Sequence, residues 1–126
     1  MSLTEYDMYI DGSFVGAEHN QRFESLNPEN NEPWATFPDA SESDVERSVQ
    51  SAKNAFNDHW SKTSVAERAK YLRAIGDKMF ENAELLGKTE SIDSGKLLKE
   101  TKFQSEYMKE YFYYYADLAE SMNNEI

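Results

Sequence analysis

No cysteine occurs among the 126 residues. That removes a thiol nucleophile, a thiolate zinc site and a disulfide framework at once. Long hydrophobic runs are missing too: no window approaches the roughly eighteen apolar residues that a membrane-spanning helix needs. The opening stretch MSLTEYDMYIDG has no basic segment followed by an apolar one, so neither a signal peptide nor a membrane span is expected, and a cytoplasmic protein is. Positive charge is scarce: 13 Lys and Arg stand against 24 Asp and Glu, a formal charge of −11. Such a chain repels phosphate backbones and anionic membrane surfaces, which argues against nucleic acid and membrane as partners. Histidine is limited to His19 and His59, forty residues apart and without companions at ligand spacing, so zinc and general-base roles are not expected of them.

What is present fits one ordinary domain. A chain of this length buries roughly two thirds of its unfolded surface and builds a core without staples. The first forty residues read as strands and turns. YDMYI and SFVGA flank Asp11-Gly12, and Asp-Gly between alternating apolar residues signals a β-hairpin. RFESLNP and PWATFP add two further extended segments, with a turn at Asn27-Pro28 and an end at Pro38. Four strands are therefore expected before residue 40.

The period changes at Ser41, which with Asp44 resembles a capping box. Val45, Val49, Ala52, Phe56 and Trp60 then form one stripe of a helix of about eighteen residues. Ser64 and Glu67 repeat the cap, and Ala69, Leu72, Ile75 or Gly76, Met79 and Ala83 carry the next apolar face. Asn82 is read as ending this helix and capping a third with Leu85, Leu86 and Ile92, one continuous bent rod being the alternative. After Gly95 a long helix runs from about Leu97 to Met122, with Leu98, Thr101, Ser105, Met108, Phe112, Tyr115, Leu118 or Ala119 and Met122 on one face. In YMKEYFYYYADLA, aromatic residues surround that helix, which therefore expects cover on both sides. The remaining sequence is too polar to supply it, so the chain reads as part of something larger. It contains no internal repeat.

The segment SIDSGKLLKET, residues 91–101, is the one that invites a chemical reading. As a phosphate loop it fails: position 90 is Glu, Lys96 is followed by Leu97, and the preceding pattern is helical. The alternative is a hinge in which Gly95 supplies a left-handed conformation and Asp93 or Ser94 bonds to following amides. No Gly-x-Ser-x-Gly elbow occurs, and the carboxylates Glu81, Glu84, Glu90 and Asp93 sit where exposed acids are ordinary. Tyr113, Tyr114 and Tyr115 lack the basic neighbours that a base-stacking surface needs. There is no glycine-rich dinucleotide fingerprint. No catalytic and no cofactor-binding residue is assigned.

The order YIDGSFV, NPENNEPWATFPDASESDVERSVQSAKNAF, ESIDSGKLLKE and YFYYYADLA nonetheless resembles the N-terminal portion of the NAD(P)-dependent aldehyde dehydrogenase superfamily, over nearly the whole chain. The resemblance implies an α/β fold in the complete protein. In it this chain supplies an N-terminal β-hairpin and short strands, 1–40, followed by three or four α-helices, 41–126, as part of the cofactor-binding domain; the catalytic domain is absent. It implies oxidation of an aldehyde to a carboxylic acid with NAD or NADP through a cysteine thioester, by groups that have no counterpart here, and a homodimer or homotetramer. Residues near Phe103, Met108, Phe112 and Tyr115 would approach the substrate tunnel. It further implies a structural Na⁺ or K⁺ ion held by the Asp93 carboxylate and main-chain carbonyls around Ser25 and Leu26, oxygen donors that suit a hard cation; Asp93 either ligates that ion or caps the following helix. A genuine short, non-catalytic helical interaction module or remnant domain is the other reading.

Overall fold

The computed structural model describes residues 3–122, which fall into two compact units divided after Lys62. The first unit opens with β1 (Thr4–Glu5), β2 (Met8–Ile10), β3 (Ser13–Val15), β4 (Arg22–Asn27) and β5 (Glu32–Pro38). Five strands thus stand where four were expected, because Thr4 and Glu5 pair in parallel with Ala35 and Thr36 before the chain reaches the hairpin. β2 and β3 form that hairpin, Met8 opposite Val15 and Ile10 opposite Ser13. Its turn places Asp11 and Gly12 at φ 53° and 77°, the left-handed pair that an Asp-Gly hairpin turn requires.

β5 lies between β1 and β4, a central position that proline normally avoids because it cannot donate to the ladder. Pro33 and Pro38 are tolerated at the strand's margins: Pro38 is its last residue, and Pro33 faces Leu26 beside a bulge. The register passes from Ser25 opposite Ala35 to Leu26 opposite Pro33, leaving Trp34 as the extra residue. Arg22 fastens the sheet's edges together. Its guanidinium donates to the Tyr6 and Thr36 carbonyls and pairs with Asp7 at 3.1 Å. Tyr6 stacks on Phe37 with ring centroids 5.2 Å apart, and Phe37 meets Phe23 at 5.7 Å.

α1 (Glu42–Asp58) starts on the anticipated capping box of Ser41 and Asp44 and ends in a short 3-10 turn, Trp60–Lys62. Its stripe of Val45, Val49, Phe56 and Trp60 is exposed in this unit. The helix is held instead through its polar side: Asp44 is buried, and Ser51 Oγ reaches the Asp11 carboxylate at 3.4 Å.

The second unit is helical: α2 (Val65–Glu81), α3 (Ala83–Ser94) and α4 (Leu98–Ser121). Ser64 and Glu67 cap α2 reciprocally as expected. α2 and α3 are separate helices, but Asn82 does not cap α3. Its side-chain amide turns back to donate to the Lys78 carbonyl of α2 at 2.8 Å. Small residues make the packing seam. Ala69, Gly76, Ala83 and Gly87 are buried, as are Thr101, Ser105 and Ala116 of α4. The apolar faces read from the sequence shift accordingly: Gly76 is the buried one of the Ile75/Gly76 alternatives, and Ala116 takes the place given to Tyr115. Leu85, Leu86, Ile92, Leu98, Leu118 and Met122 are exposed. The physical reason is close approach. Lys102 lies so near the Gly87 backbone that a side chain there has no room, so helices meet through their smallest residues and the larger apolar ones project outward.

Candidate functional site

The 91–101 segment is a helix-to-helix hinge. Gly95 closes α3 at φ 73° and ψ 9°, and its N–H donates to the Ser91 carbonyl at 3.0 Å, a left-handed cap that glycine adopts without the cost a Cβ would bring. Three further bonds tighten the corner: Ser91 Oγ donates to the Lys96 carbonyl at 2.7 Å, Ser94 Oγ to the Glu90 carbonyl at 2.6 Å, and the Lys96 N–H to Ser94 Oγ at 3.4 Å. The bond to a following amide, expected of Asp93 or Ser94, is made by Ser94. The residue at the N-cap of α4 is Leu97, whose side chain has no oxygen to offer. Lys96 pairs with Glu90 rather than standing free over an anion cradle, and the element before it is a helix, not the strand of a phosphate loop.

Asp93 lies in the last turn of α3, where its carboxylate is exposed. Ser25 and Leu26 lie on β4 at the bulge opposite Trp34, Ser25 half-buried and Leu26 exposed. Ser25 and Leu26 belong to the first unit and Asp93 to the second. Pro33, facing Leu26, has no N–H to give to the ladder. Among the described residues, no three His, Cys, Asp or Glu side chains converge.

Polar clusters in both units went unread in the sequence. In the first unit, Asp44 is 1% exposed. Its Oδ2 accepts from the Glu18 N–H, the Ser41 N–H and Ser41 Oγ, each at 3.0 Å, and its Oδ1 pairs with Arg47 at 2.7 Å. The two backbone N–H donors, Glu18 first, hold its pKa below the ordinary carboxylate value. The capping box gave half of this arrangement; the loop amide of Glu18, 26 residues earlier, left no local signal. Glu18 in turn accepts from Ser43 and Ser41, which lower its pKa.

In the second unit, Asp77 of α2 accepts from Lys109 Nζ at 2.8 Å and from Tyr113 Oη at 3.0 Å. Lys109 also stands 5.1 Å from the Tyr113 ring centroid. The bond to Asp77 raises the Tyr113 pKa, and the bond from Lys109 lowers that of Asp77. The cluster braces α2 against α4. Nearer the end of α4, Arg73 Nη2 bridges Asp117 at 2.5 Å and Glu120 at 2.6 Å. It supplies the positive charge that the last turn of α4 lacks.

A further feature is apolar. A cavity of about 470 Å³ is lined by Leu72, Met108, Tyr111, Phe112 and Tyr115. Phe103, Tyr107, Tyr111, Tyr114 and Tyr115 are exposed along α4. The cover that the sequence says these rings need is not supplied among the described residues.

Comparison with known proteins converges on one family. The profile of the "Aldehyde dehydrogenase family" matches residues 14–126. A dehydrogenase of Acinetobacter baylyi acting on (Z)-2-((N-methylformamido)methylene)-5-hydroxybutyrolactone is 36% identical over 121 residues, 95% of this chain and 24% of its own length. The betaine aldehyde dehydrogenase of Bacillus subtilis is 34% identical over 94% of this chain and 24% of its own. Among solved structures, a Staphylococcus aureus betaine aldehyde dehydrogenase in complex with NAD⁺ superposes with a TM-score of 0.86 at 32% identity, over 95% of this chain and 25% of that one. An NAD-dependent aldehyde dehydrogenase from Sinorhizobium meliloti gives 0.90 at 27% identity, over 99% and 26%. The chain spans about a quarter of the length of the curated relatives it matches.

Proposed function

The chain belongs to the aldehyde dehydrogenase family, and from that premise we propose that it serves as the N-terminal part of an enzyme that oxidises an aldehyde to a carboxylic acid with NAD or NADP. The observation that carries this is the family match from residue 14 to 126, over a fold that superposes on an NAD⁺-bound relative. In the proposed reaction a cysteine thiolate would add to the aldehyde carbonyl, the hydride would pass to NAD⁺ or NADP⁺, and water would release the carboxylic acid from the resulting thioester. This chain has no cysteine, so none of its residues is given that role.

Nor do its residues fit a dinucleotide cradle. Such a cradle needs glycines between a strand and a helix N-terminus. Here Gly12 lies in a hairpin turn, Gly16 just after β3, Gly76 and Gly87 inside helices, and Gly95 at the end of α3. The share proposed for this segment is to belong to the cofactor-binding domain without touching the reacting atoms. The apolar groove of Met108, Phe112 and Tyr115, with Phe103 nearby, is proposed to border the path of the aldehyde. A Na⁺ or K⁺ ion is proposed to be held by the Asp93 carboxylate and the carbonyls of Ser25 and Leu26. The donor set is all oxygen, as such ions prefer, and Ser25 and Leu26 flank the register shift of β4. The complete protein is proposed to be a cytoplasmic homodimer or homotetramer.

A second reading, a non-catalytic helical interaction module, draws on the exposed tyrosines of α4. One experiment separates the two. The source gene is read across the codon for Ile126, and the encoded protein is assayed for aldehyde-dependent reduction of NAD⁺ and NADP⁺. A frame that continues to a cysteine and an active product supports the enzyme; a stop codon at that point, with an inactive product, favours the module.

A further inference from the structure

We draw no further inference here: the strongest candidate, the exposed tyrosine face of α4 with the apolar groove formed by Leu72, Met108, Tyr111, Phe112 and Tyr115, is an unpartnered apolar surface, and nothing in the structure shows what covers it.

Discussion

Gly87 of α3 lies directly against Lys102 of α4: a Cβ added to Gly87 would fall 2.7 Å from the Lys102 Cα and 2.8 Å from its backbone nitrogen. The contact is backbone on side chain, so no rotamer change relieves it. Thr101, fully buried beside it, donates from Oγ1 to the Gly87 carbonyl at 2.8 Å and fixes the same spacing. Gly76 is less constrained, its would-be Cβ standing 3.1 Å from the Phe112 Cβ.

Gly87→Ala is therefore expected to destabilise the helical unit even though alanine is the better helix former by about 1 kcal/mol. Forcing the helices apart costs about 1–3 kcal/mol in over-packed cores, and here the propensity gain does not offset it. Gly76→Ala should lie closer to neutral, and Gly16→Ala, with nothing within 4 Å, should not disturb packing. Urea titration of the three variants checks the order. Equal midpoints for Gly87→Ala and Gly16→Ala would refute the close-contact account.

Asp44 should make the strand unit acid-labile. Its folded pKa is depressed below 3.8, first by the Glu18 N–H and then by the Ser41 N–H. A depressed carboxylate contributes stability that is complete above its unfolded value and is lost as pH falls through the folded one. Glu18, lowered by Ser43 and Ser41, acts in the same direction. Stability should thus decline below about pH 4. Asp44→Asn leaves an oxygen for one or two of the donors and removes the charge opposite Arg47, so it should lower the thermal midpoint at pH 7 while flattening the acid limb. Melting curves at pH 3 to 7 test this, and parallel curves for the two proteins would remove Asp44 from the account.

These two cases show what a sequence gives up and what it withholds. Signals that act within a few residues were legible: the Asp11-Gly12 turn, the Ser41 and Ser64 caps, the break at Gly95 and the length of α4. Contacts between distant segments were not. Periodicity ranks large apolar residues as core, which placed Tyr115 inside and overlooked Ala116, because only the distance between helices decides whether a large or a small residue fits. Glycines in the middle of the helical patterns, at 76 and 87, were the local hints of close approach. The three residues assigned to the ion are split between units, Ser25 and Leu26 in one and Asp93 in the other. The resemblance named them; no spacing rule joins positions almost seventy residues apart.

At the other end of the pH scale the helical unit should weaken. Tyr113 is raised above 10.0, chiefly by its bond to Asp77, and Lys109 above 10.5, chiefly by the same carboxylate. Groups with raised values contribute stability that is complete below their unfolded pKa and is lost as pH rises through the folded one. The unit is expected to lose stability from about pH 10 upward. Tyr113→Phe keeps the ring over Lys109 and deletes the hydroxyl, so it should shift the midpoint modestly at pH 8 and reduce the slope between pH 9 and 11. Circular dichroism melts across that interval decide it; an unchanged slope would show that the Tyr113 proton is not coupled to folding.

The last prediction concerns Asp93 and rests on the proposed ion. If its carboxylate helps to hold Na⁺ or K⁺, then binding to the folded state alone raises the melting temperature with ion concentration. Asp93→Ala in the complete enzyme should lower that temperature and abolish its dependence on NaCl and KCl, with choline chloride at equal ionic strength as the screening control. Asp93→Asn distinguishes ligation from a local hydrogen-bonding role. Asparagine caps about as well as aspartate but offers a cation a neutral amide oxygen in place of a carboxylate, so a purely local role predicts near-normal melting for Asn at any ion concentration, whereas ligation predicts that Asn needs more Na⁺ or K⁺ than wild type to reach the same melting temperature. Wild-type melting that is identical in NaCl, KCl and choline chloride would dispose of the ion altogether, and would leave the hinge at Gly95 resting on the bonds that Ser91 and Ser94 already make to its backbone.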